Sequence, residues 1–327
     1  MSNLPADCLN EIFIYLEDKD TLRSCLLVNR LWCQVSVRIL WTSIQNYNTL
    51  ITCLPMESKE ILCKNKITIS NSTSKPPLFN YVAFIKCLSI NEIFNNILRK
   101  SITSQGFDDV KYKIVTQEIF KMFMNQISLK KLDCYSHPSI DTISNIPFTT
   151  YPGAIDSLKN LSELICDSDY SSELFYQISQ ISFNIRSLKI YFKKTISYGL
   201  SDLISAQQNL KYLSIINDSI GKNLIDIMTS LTKLSNTLIR LYFHGGEYST
   251  SLSFISKFTN LQEIVLSFYN HVEDFNILHD VKFSQLRILK FNYECPNHKY
   301  LIKFLKNNGE NLKELYLGTN KDRKSVV

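Results

Sequence analysis

A short apolar motif recurs along the second half of the chain at a nearly constant interval. Its pattern is Leu-x-x-Leu-x-apolar, and its first apolar residues follow one another at steps of 24, 25, 28, 23, 25 and 26 residues. These first positions are Leu161, Ile185, Leu210, Leu238, Leu261, Leu286 and Leu312. One unit of this length cannot bury its apolar face alone, so the period indicates stacked units that share one core.

The spacing carries this argument, because single matches mean little. Hydrophobic residues make up 45% of the chain. Three apolar positions at fixed spacing therefore occur by chance in about 9% of windows. Weaker matches at residues 85–90 and 129–134 extend the series towards the N-terminus.

Each unit has the pattern of a strand followed by a helix. The last two apolar positions of the motif alternate, as a strand with one buried side requires, and helical spacing follows at residues 224–228 and 300–305. We expect the asparagine before the strand to adopt the left-handed conformation that ends a helix. These asparagines are Asn160, Asn184, Asn209, Asn260 and Asn311.

The period and the motif resemble the leucine-rich repeat. The resemblance implies a mixed α/β chain with an irregular solenoid over residues 81–327, in which parallel strands line the concave side and helices the convex side. Pro138, Pro147 and Pro152 interrupt the early repeats, so the most regular part is expected from about residue 155. The position of the consensus Asn or Cys mostly holds other residues, which favours irregular repeats.

The first forty residues predict three short helices. Leu9, Ile12, Phe13 and Leu16 fall at i, i+3, i+4 and i+7 on one helical face after Pro5. Asp20 is expected to cap the second helix and Asn29 the third. A unit of about 40 residues is at the limit of independent stability. It is therefore expected to complete its core on another protein, although a helical cap on the rest of the chain is the alternative.

This segment resembles an F-box. The resemblance covers residues 3–44 and rests on Leu4-Pro5-x-x-x-Leu9-x-x-Ile12-Phe13-x-x-Leu16, then Leu22, Val28, Arg30, Trp32 and Leu40-Trp41. Asn29 stands where many F-boxes have cysteine, and the interval from Leu16 to Trp32 is one residue longer than usual. We expect an F-box at 1–44, a connecting segment or loop at 45–80, and the repeats at 81–327.

An F-box implies binding to a Skp-type adaptor and, through it, to the cullin of an SCF-type E3 ubiquitin ligase. Some apolar residues of such a domain contact the adaptor and others form its own core, and the sequence does not separate the two groups. The resemblance assigns adaptor binding to Leu4, Pro5, Leu9, Ile12, Phe13, Leu16, Leu22, Val28 and Trp32.

The predicted concave side carries tyrosines and cations that suit the binding of a client protein. Tyr and Arg are frequent hot spots because they bury a large area and keep a polar group. The predicted client-binding residues are Lys189, Tyr191, Tyr212, Arg240, Tyr242 and Lys290. Tyr191, Tyr212, Arg240 and Tyr242 are expected to be contiguous, in a hollow that is basic at its centre and acidic towards Glu163, Asp167 and Asp133. The alternative is that tyrosine is simply common on strands.

The enzymatic alternatives lack their motifs. Neither G-x-G-x-x-G nor G-x-x-x-x-G-K occurs, and residues 244–246 (His-Gly-Gly) are expected to form a β-turn. Cys134-x-x-His137 and Cys295-x-x-His298 lie on distant repeats, so no zinc site, other metal or cofactor is expected. The net charge of +6 is too dilute to indicate nucleic-acid binding, and no apolar run reaches the ~20 residues of a membrane span.

Nine scattered cysteines without a Cys-x-x-Cys pair predict reduced, mostly buried thiols. With no secretory signal in the first residues, this favours the cytoplasm or nucleus. The whole chain resembles the large F-box families of some fungi. We therefore expect a non-catalytic substrate receptor of a ubiquitin ligase; the alternatives are a non-degradative scaffold or regulator and an enzyme or nucleic-acid binder.

Overall fold

The chain is mixed α/β and divides into two compact units. The structure, a computed structural model, describes residues 4–16, 18–67, 77–93, 95, 109–135, 146–193, 195–217, 225–246, 251–269 and 273–318. The N-terminal unit comprises residues 1–133 and 146–160, and the C-terminal unit comprises residues 134–145 and 161–327. Within the described residues no helix combines the length and apolar character needed to cross a membrane.

The N-terminal unit begins with three helices, α1 (Ala6–Ile14), α2 (Lys19–Cys25) and α3 (Arg30–Leu40). The expectation that Asp20 caps α2 is wrong. The cap is Asp18, whose carboxylate accepts hydrogen bonds from the backbone N–H groups of Asp20 and Thr21 at 3.1 and 2.8 Å, because α2 begins at Lys19. Asn29 is confirmed as the cap of α3, since its side chain accepts from Trp32 N at 2.9 Å.

The three helices share one apolar core, to which later residues of the same chain contribute. Phe13 packs edge-on against Trp32, with ring centroids 5.0 Å apart. Phe79 and Phe84 also pack on this core, and the ring of Tyr81 lies 4.4 Å from that of Trp41. The chain itself therefore supplies part of the apolar surface that the sequence assigned to a foreign protein.

Residues 45–67 are not only a connection, because they form two helices. Asn46 caps the first of them by accepting from Thr49 N at 3.1 Å, and Leu50, Leu54 and Leu62 are buried. The remaining elements of this unit are α4 (Tyr47–Thr52), α5 (Met56–Lys64), a 3-10 helix (Val82–Phe84), β1 (Cys87–Ser89), α6 (Ile90–Ile93), α7 (Asp109–Gln126), β2 (Lys131–Asp133), a second 3-10 helix (Phe148–Thr150) and α8 (Ala154–Leu158). Strands β1 and β2 pair in parallel, with Leu88 opposite Leu132. Of the expected connecting segment, residues 68–76 lie outside the described part.

The described part of the C-terminal unit contains seven parallel strands, each paired with the next in sequence. The strands are β3 (Glu163–Asp167), β4 (Ser187–Phe192), β5 (Tyr212–Asn217), β6 (Arg240–Gly246), β7 (Glu263–Phe268), β8 (Ile288–Tyr293) and β9 (Glu314–Leu317). The connections contain α9 (Ser172–Ile181), α10 (Gly199–Ala206), α11 (Ile225–Thr232), 3-10 helices at Ser253–Lys257, Glu273–Ile277 and Gly309–Asn311, and α12 (His298–Asn308). The predicted strands and the mixed α/β class are confirmed.

Alternate residues of these strands are buried, as the repeat motif predicts. In β4 the side chains of Leu188, Ile190 and Phe192 are buried while the intervening residues are partly exposed. Phe243 and Phe291 continue the buried face and are 0% exposed. A parallel strand needs a crossover connection, so this face packs against the connecting helices and the opposite face stays accessible.

The expectation for the asparagines before the strands is wrong. Among the described non-glycine residues, only Lys66 and Tyr293 have positive φ. The asparagine side chains instead link neighbouring repeats. Asn209 Nδ2 donates to Asn184 Oδ1 at 2.9 Å, and Asn260 Nδ2 donates to Asn236 O at 2.7 Å.

Buried amides also join successive repeats. Gln207 is 6% exposed, accepts from Ile185 N at 2.9 Å and donates to Ser182 O at 3.0 Å. Asn308 repeats this arrangement, since it accepts from Phe283 N at 2.6 Å and donates to Val281 O at 2.8 Å. Each amide satisfies backbone groups that would otherwise be buried without a partner.

Residues 244–246 end a strand instead of forming a β-turn. They belong to β6, whose register with β7 shifts between His244 and Gly246. Gly245 lies so close to Phe268 that a Cβ at this position would be 2.1 Å from Cε1 of that ring. Gly245 thus allows close packing of a strand end, and the predicted turn is wrong.

Candidate protein-interaction surfaces

The apolar residues assigned to the N-terminal helices divide into buried and accessible groups. Leu9, Phe13 and Leu22 are 1%, 2% and 4% exposed and lie in the core. Leu16 and Trp32 are partly buried against it. The remaining members of the assigned set, Leu4, Pro5, Ile12 and Val28, are exposed.

Further large apolar side chains are exposed in the same segments of the chain. Ile14 and Tyr15 follow Ile12 at the end of α1, and Leu27 precedes Val28 in the turn between α2 and α3. Leu27 is 88% exposed and Tyr15 is 80% exposed. Sequence reasoning did not select Ile14, Tyr15 or Leu27. Tyr15 and Leu27 follow the ends of α1 and α2, so helical periodicity gives no signal at these two positions. Large apolar side chains exposed in such numbers are typical of interaction surfaces on soluble proteins.

Side chains on the accessible face of the C-terminal strands form three rows across the strands. The first row contains Glu163, Ser187, Tyr212, Arg240, Glu263, Ile288 and Glu314. The second contains Ile165, Lys189, Ser214, Tyr242, Val265, Lys290 and Tyr316. The third contains Asp167, Tyr191, Ile216, His244, Ser267 and Asn292. We call these rows together the exposed sheet face.

A shallow pocket lies at the centre of this face. The guanidinium carbon of Arg240 stands 5.2 Å from the ring centroid of Tyr212, and its Nε lies 3.2 Å from Oε2 of Glu263. Tyr242 and Val265 complete the lining of a cavity of about 240 Å³. The sequence placed Tyr212, Arg240 and Tyr242 together, and the structure brings them into one pocket.

Tyr191 belongs to a different group. On the neighbouring strand β5, Tyr191 is paired with Ile216. Tyr212 is paired with Ser187, which precedes Tyr191 by four residues on β4. At about 3.3 Å per residue, Tyr191 and the pocket are separated by about 13 Å along the strand. The expectation of one contiguous cluster that includes Tyr191 is therefore wrong.

The group around Tyr191 consists of two lysines and two tyrosines whose rings are tilted by 42° to each other. The rings of Tyr191 and Tyr135 have centroids 4.3 Å apart. Lys189 Nζ lies 4.7 Å from the centroid of Tyr191, and Lys193 Nζ lies 4.9 Å from that of Tyr135. Sequence reasoning missed Tyr135 because it lies in the proline-rich interruption of the repeats.

The position of Tyr135 is fixed by the residue before it. Cys134 N donates to Ile165 O at 2.8 Å, and the hydroxyl of Tyr170 donates to Cys134 O. Burial of the Tyr170 side chain raises the pKa of its hydroxyl, so the group remains a donor at physiological pH.

The third row is more buried than strand alternation predicts. Asp167 and Ser267 are 0% exposed and His244 is 7% exposed. His244 Nδ1 lies 2.8 Å from Ser267 Oγ, and Lys193 Nζ lies 3.8 Å from Asp167 Oδ1. Access to a partner is therefore broadest at the first two rows, while Tyr191, Ile216 and Asn292 of the third row are partly exposed.

Two cations of the exposed sheet face, Arg240 and Lys290, are balanced by neighbouring carboxylates. Arg240 pairs with Glu263, and Lys290 Nζ lies 2.9 Å from Glu314 Oε1. The hydrogen bond to Glu314 raises the pKa of Lys290 above its ordinary value. The expectation of a basic centre is wrong, because each of these cations meets a carboxylate on the adjacent strand.

The cysteines and histidines show no shared site among the described residues. No group of three or more His, Cys, Asp or Glu side chains in that part of the chain has the geometry to hold a metal ion, and His137 lies outside it. None of the nine cysteines is disulfide-bonded; Cys25, Cys134 and Cys166 are buried, whereas Cys8 and Cys63 are exposed. The expectation that most thiols are buried is wrong. Burial raises the pKa of the Cys53 and Cys295 thiols, which lowers their reactivity.

Comparison with known families identifies the N-terminal helices. The F-box-like family model matches residues 1–46, the segment that contains α1, α2 and α3. The search of curated proteins found no match to the chain.

Proposed function

We propose that the chain is the substrate-recognition subunit of an SCF-type E3 ubiquitin ligase. Its F-box-like segment would bind a Skp-type adaptor, which connects it to a cullin, and its C-terminal strands would bind a client protein. The observation that carries the proposal is the F-box-like match at residues 1–46. Such a subunit acts in the cytoplasm or the nucleus and performs no catalysis itself.

Exposed apolar side chains support the adaptor half of this proposal. Ile12 is 49% exposed, Leu4 50% and Val28 56% on a unit whose own core is already filled by Leu9 and Phe13. Burying each of these side chains against a partner contributes roughly 1.5–3 kcal/mol at full burial. We assign adaptor contact to Leu4, Pro5, Ile12 and Val28, with Leu16 and Trp32 at the edge.

The strand order supports the client half. Each strand of the C-terminal unit pairs in parallel with its successor, at the period of about 25 residues that is typical of leucine-rich repeats. In such a solenoid the exposed sheet face is concave and accessible. The pocket of Tyr212, Arg240 and Tyr242 lies on this face, and Lys189, Tyr191 and Lys290 lie elsewhere on the same face.

The charge balance of this face indicates how a client is held. Because Arg240 and Lys290 already pair with glutamates, binding by simple attraction of an acidic client would require those pairs to break. Aromatic area from Tyr212, Tyr242 and Tyr191 supplies the affinity instead, and the ion pairs supply specificity by excluding unmatched charges.

The mechanism is one of proximity. Fixing the client on the same assembly as a charged conjugating enzyme raises the effective concentration of its lysines near the reactive thioester. No group of this chain needs to touch the reacting atoms.

Reconstitution tests the proposal. The chain, the adaptor, a cullin–RING module and a client found by proximity labelling with a cullin inhibitor present are combined with conjugating enzyme and ubiquitin. Client ubiquitination that depends on the chain supports it. Adaptor binding without client ubiquitination would favour the alternative of a non-degradative scaffold or regulator.

A further inference from the structure

A groove on the N-terminal unit differs in chemistry from the apolar surface formed by Leu4, Pro5, Ile12 and Val28. It lies where α1 and α3 meet the segment after the 3-10 helix Val82–Phe84, and its cavity volume is about 550 Å³. This volume falls within the ~300–1,000 Å³ of ordinary ligand pockets. Its principal lining residues are Asn10, Ile14, Arg38, Ile39, Phe84 and Lys86.

The groove is held open by contacts within the unit. Thr42 O accepts from Lys86 N at 2.8 Å and from Cys87 N at 2.9 Å, which ties one wall to the end of α3. Phe84 packs on the core of the N-terminal helices, so that wall is also fixed from below. A ligand therefore meets a formed site and does not need to order it.

The chemistry of the lining is apolar with two cations. Ile14, which is 56% exposed, Ile39 and Phe84 form the apolar part. The guanidinium carbon of Arg38 stands 5.9 Å from the Phe84 ring centroid. Neither Arg38 nor Lys86 forms an ion pair with any described residue, in contrast to the balanced cations of the exposed sheet face.

We propose that this groove binds an acidic peptide segment in which carboxylates alternate with large apolar side chains. Arg38 and Lys86 can pair with carboxylates of a ligand, and the isoleucines and phenylalanine offer apolar surface to a side chain between those carboxylates. A small anion alone would leave the apolar walls uncovered.

This inference does not rest on the adaptor proposal. Ile12 and Ile14 are two residues apart on α1, which places them about 200° apart around the helix axis. Ile12 belongs to the apolar surface and Ile14 to the groove, so the two sites occupy opposite flanks of one helix and can be disabled separately.

Fluorescence anisotropy on the full chain tests the proposal. The probe is a fluorescein-labelled peptide of about twelve residues that alternates Asp or Glu with Leu and Phe, and its control replaces each acid by Asn or Gln. We expect saturable binding of the acidic probe and about tenfold weaker binding of the neutral one. Absence of binding, or equal binding of both peptides, would overturn the proposal.

Matched charge variants separate the groove from general attraction. Arg38→Gln with Lys86→Gln should weaken binding of the acidic probe about tenfold, whereas Lys19→Gln with Arg30→Gln, which removes the same charge from exposed positions elsewhere on the unit, should not. Ile14→Asn should also weaken binding without a change in charge, and Ile12→Asp should leave it intact. Circular dichroism melts confirm folding of each variant. Equal losses of affinity for the acidic probe in both double variants would contradict the proposal. It would also be contradicted if phosphatidylserine vesicles displaced the probe and bound with higher apparent affinity, because the groove would then be a membrane site.

Discussion

Ile12 and Phe13 are consecutive residues of α1, yet the side chain of Ile12 is 49% exposed and that of Phe13 is 2% exposed. Phe13 packs against Trp32 inside the helical core, whereas Ile12 projects from it. The two positions therefore separate folding from adaptor binding with single substitutions on one helix.

Ile12→Ala should leave stability within about 0.5 kcal/mol of wild type, because an exposed side chain contributes little. It should weaken adaptor binding by about 1–2 kcal/mol if Ile12 lies in the interface. Chemical denaturation and isothermal titration calorimetry with the adaptor measure the two effects.

Phe13→Ala should lower the free energy of unfolding by about 3–5 kcal/mol, because it leaves a cavity in the core. It serves as the matched control for Ile12→Ala. The assignment fails if Phe13→Ala folds with wild-type stability and loses adaptor binding, since Phe13 would then be an interface residue.

Gln207→Leu should destabilise the chain by about 1–3 kcal/mol. The buried side-chain amide bonds the backbone of Ile185 and Ser182, and its loss leaves those groups unsatisfied. Gln208→Leu, at the adjacent exposed position, should change stability by less than about 0.5 kcal/mol. Thermal melts of both variants check this, and equal melting temperatures would show that the buried amide is dispensable.

Asp18 gives the N-terminal helices an acid-sensitive element. The pKa of its carboxyl lies below the ordinary value of 3.8, chiefly through the Thr21 hydroxyl and then the N–H groups of Asp20 and Thr21. A depressed folded-state pKa stabilises the fold above the unfolded value, and this contribution is lost as the pH falls through the folded value. Melting temperatures should therefore drop less steeply in acid for Asp18→Asn, which keeps a capping oxygen. If the melting temperatures of the wild-type chain and Asp18→Asn fall equally steeply with decreasing pH, Asp18 is not the acid-sensitive element.

Tyr212→Ala combined with Arg240→Ala should abolish client capture and leave adaptor binding unchanged. These residues form the centre of the pocket on the exposed sheet face, and aromatic and arginine side chains dominate interface energy. Pull-down of a client identified by proximity labelling measures the effect. Arg287→Ala, at an exposed position before β8, is the control, and client capture that survives the double substitution would exclude this pocket.

The strand positions were predictable because the side-chain period of a strand repeats in every unit. The first apolar position of each motif precedes its strand by two residues, as at Leu161 before Glu163 and Leu238 before Arg240. Parallel pairing in sequence order follows from the same period.

The partners within each row could not be predicted, since they depend on register. The sequence predicted Arg240 as a client-binding residue in a hollow with a basic centre, but pairing of β6 with β7 places it beside Glu263. Asp167 and Ser267 satisfy strand alternation and are nonetheless buried; Lys193 lies near Asp167, and His244 of the adjacent strand contacts Ser267. Arg38 and Lys86, 48 residues apart, became neighbours of one groove only through the fold.

The most direct test is whether the purified chain forms a stoichiometric complex with a Skp-type adaptor. Size-exclusion chromatography with light scattering on an equimolar mixture should give one peak with the mass of a 1:1 complex. Leu4→Asp combined with Ile12→Asp should return two separate peaks, with the variant still folded. Separate peaks for the wild-type chain and the adaptor would contradict the assignment of this protein to a ubiquitin ligase.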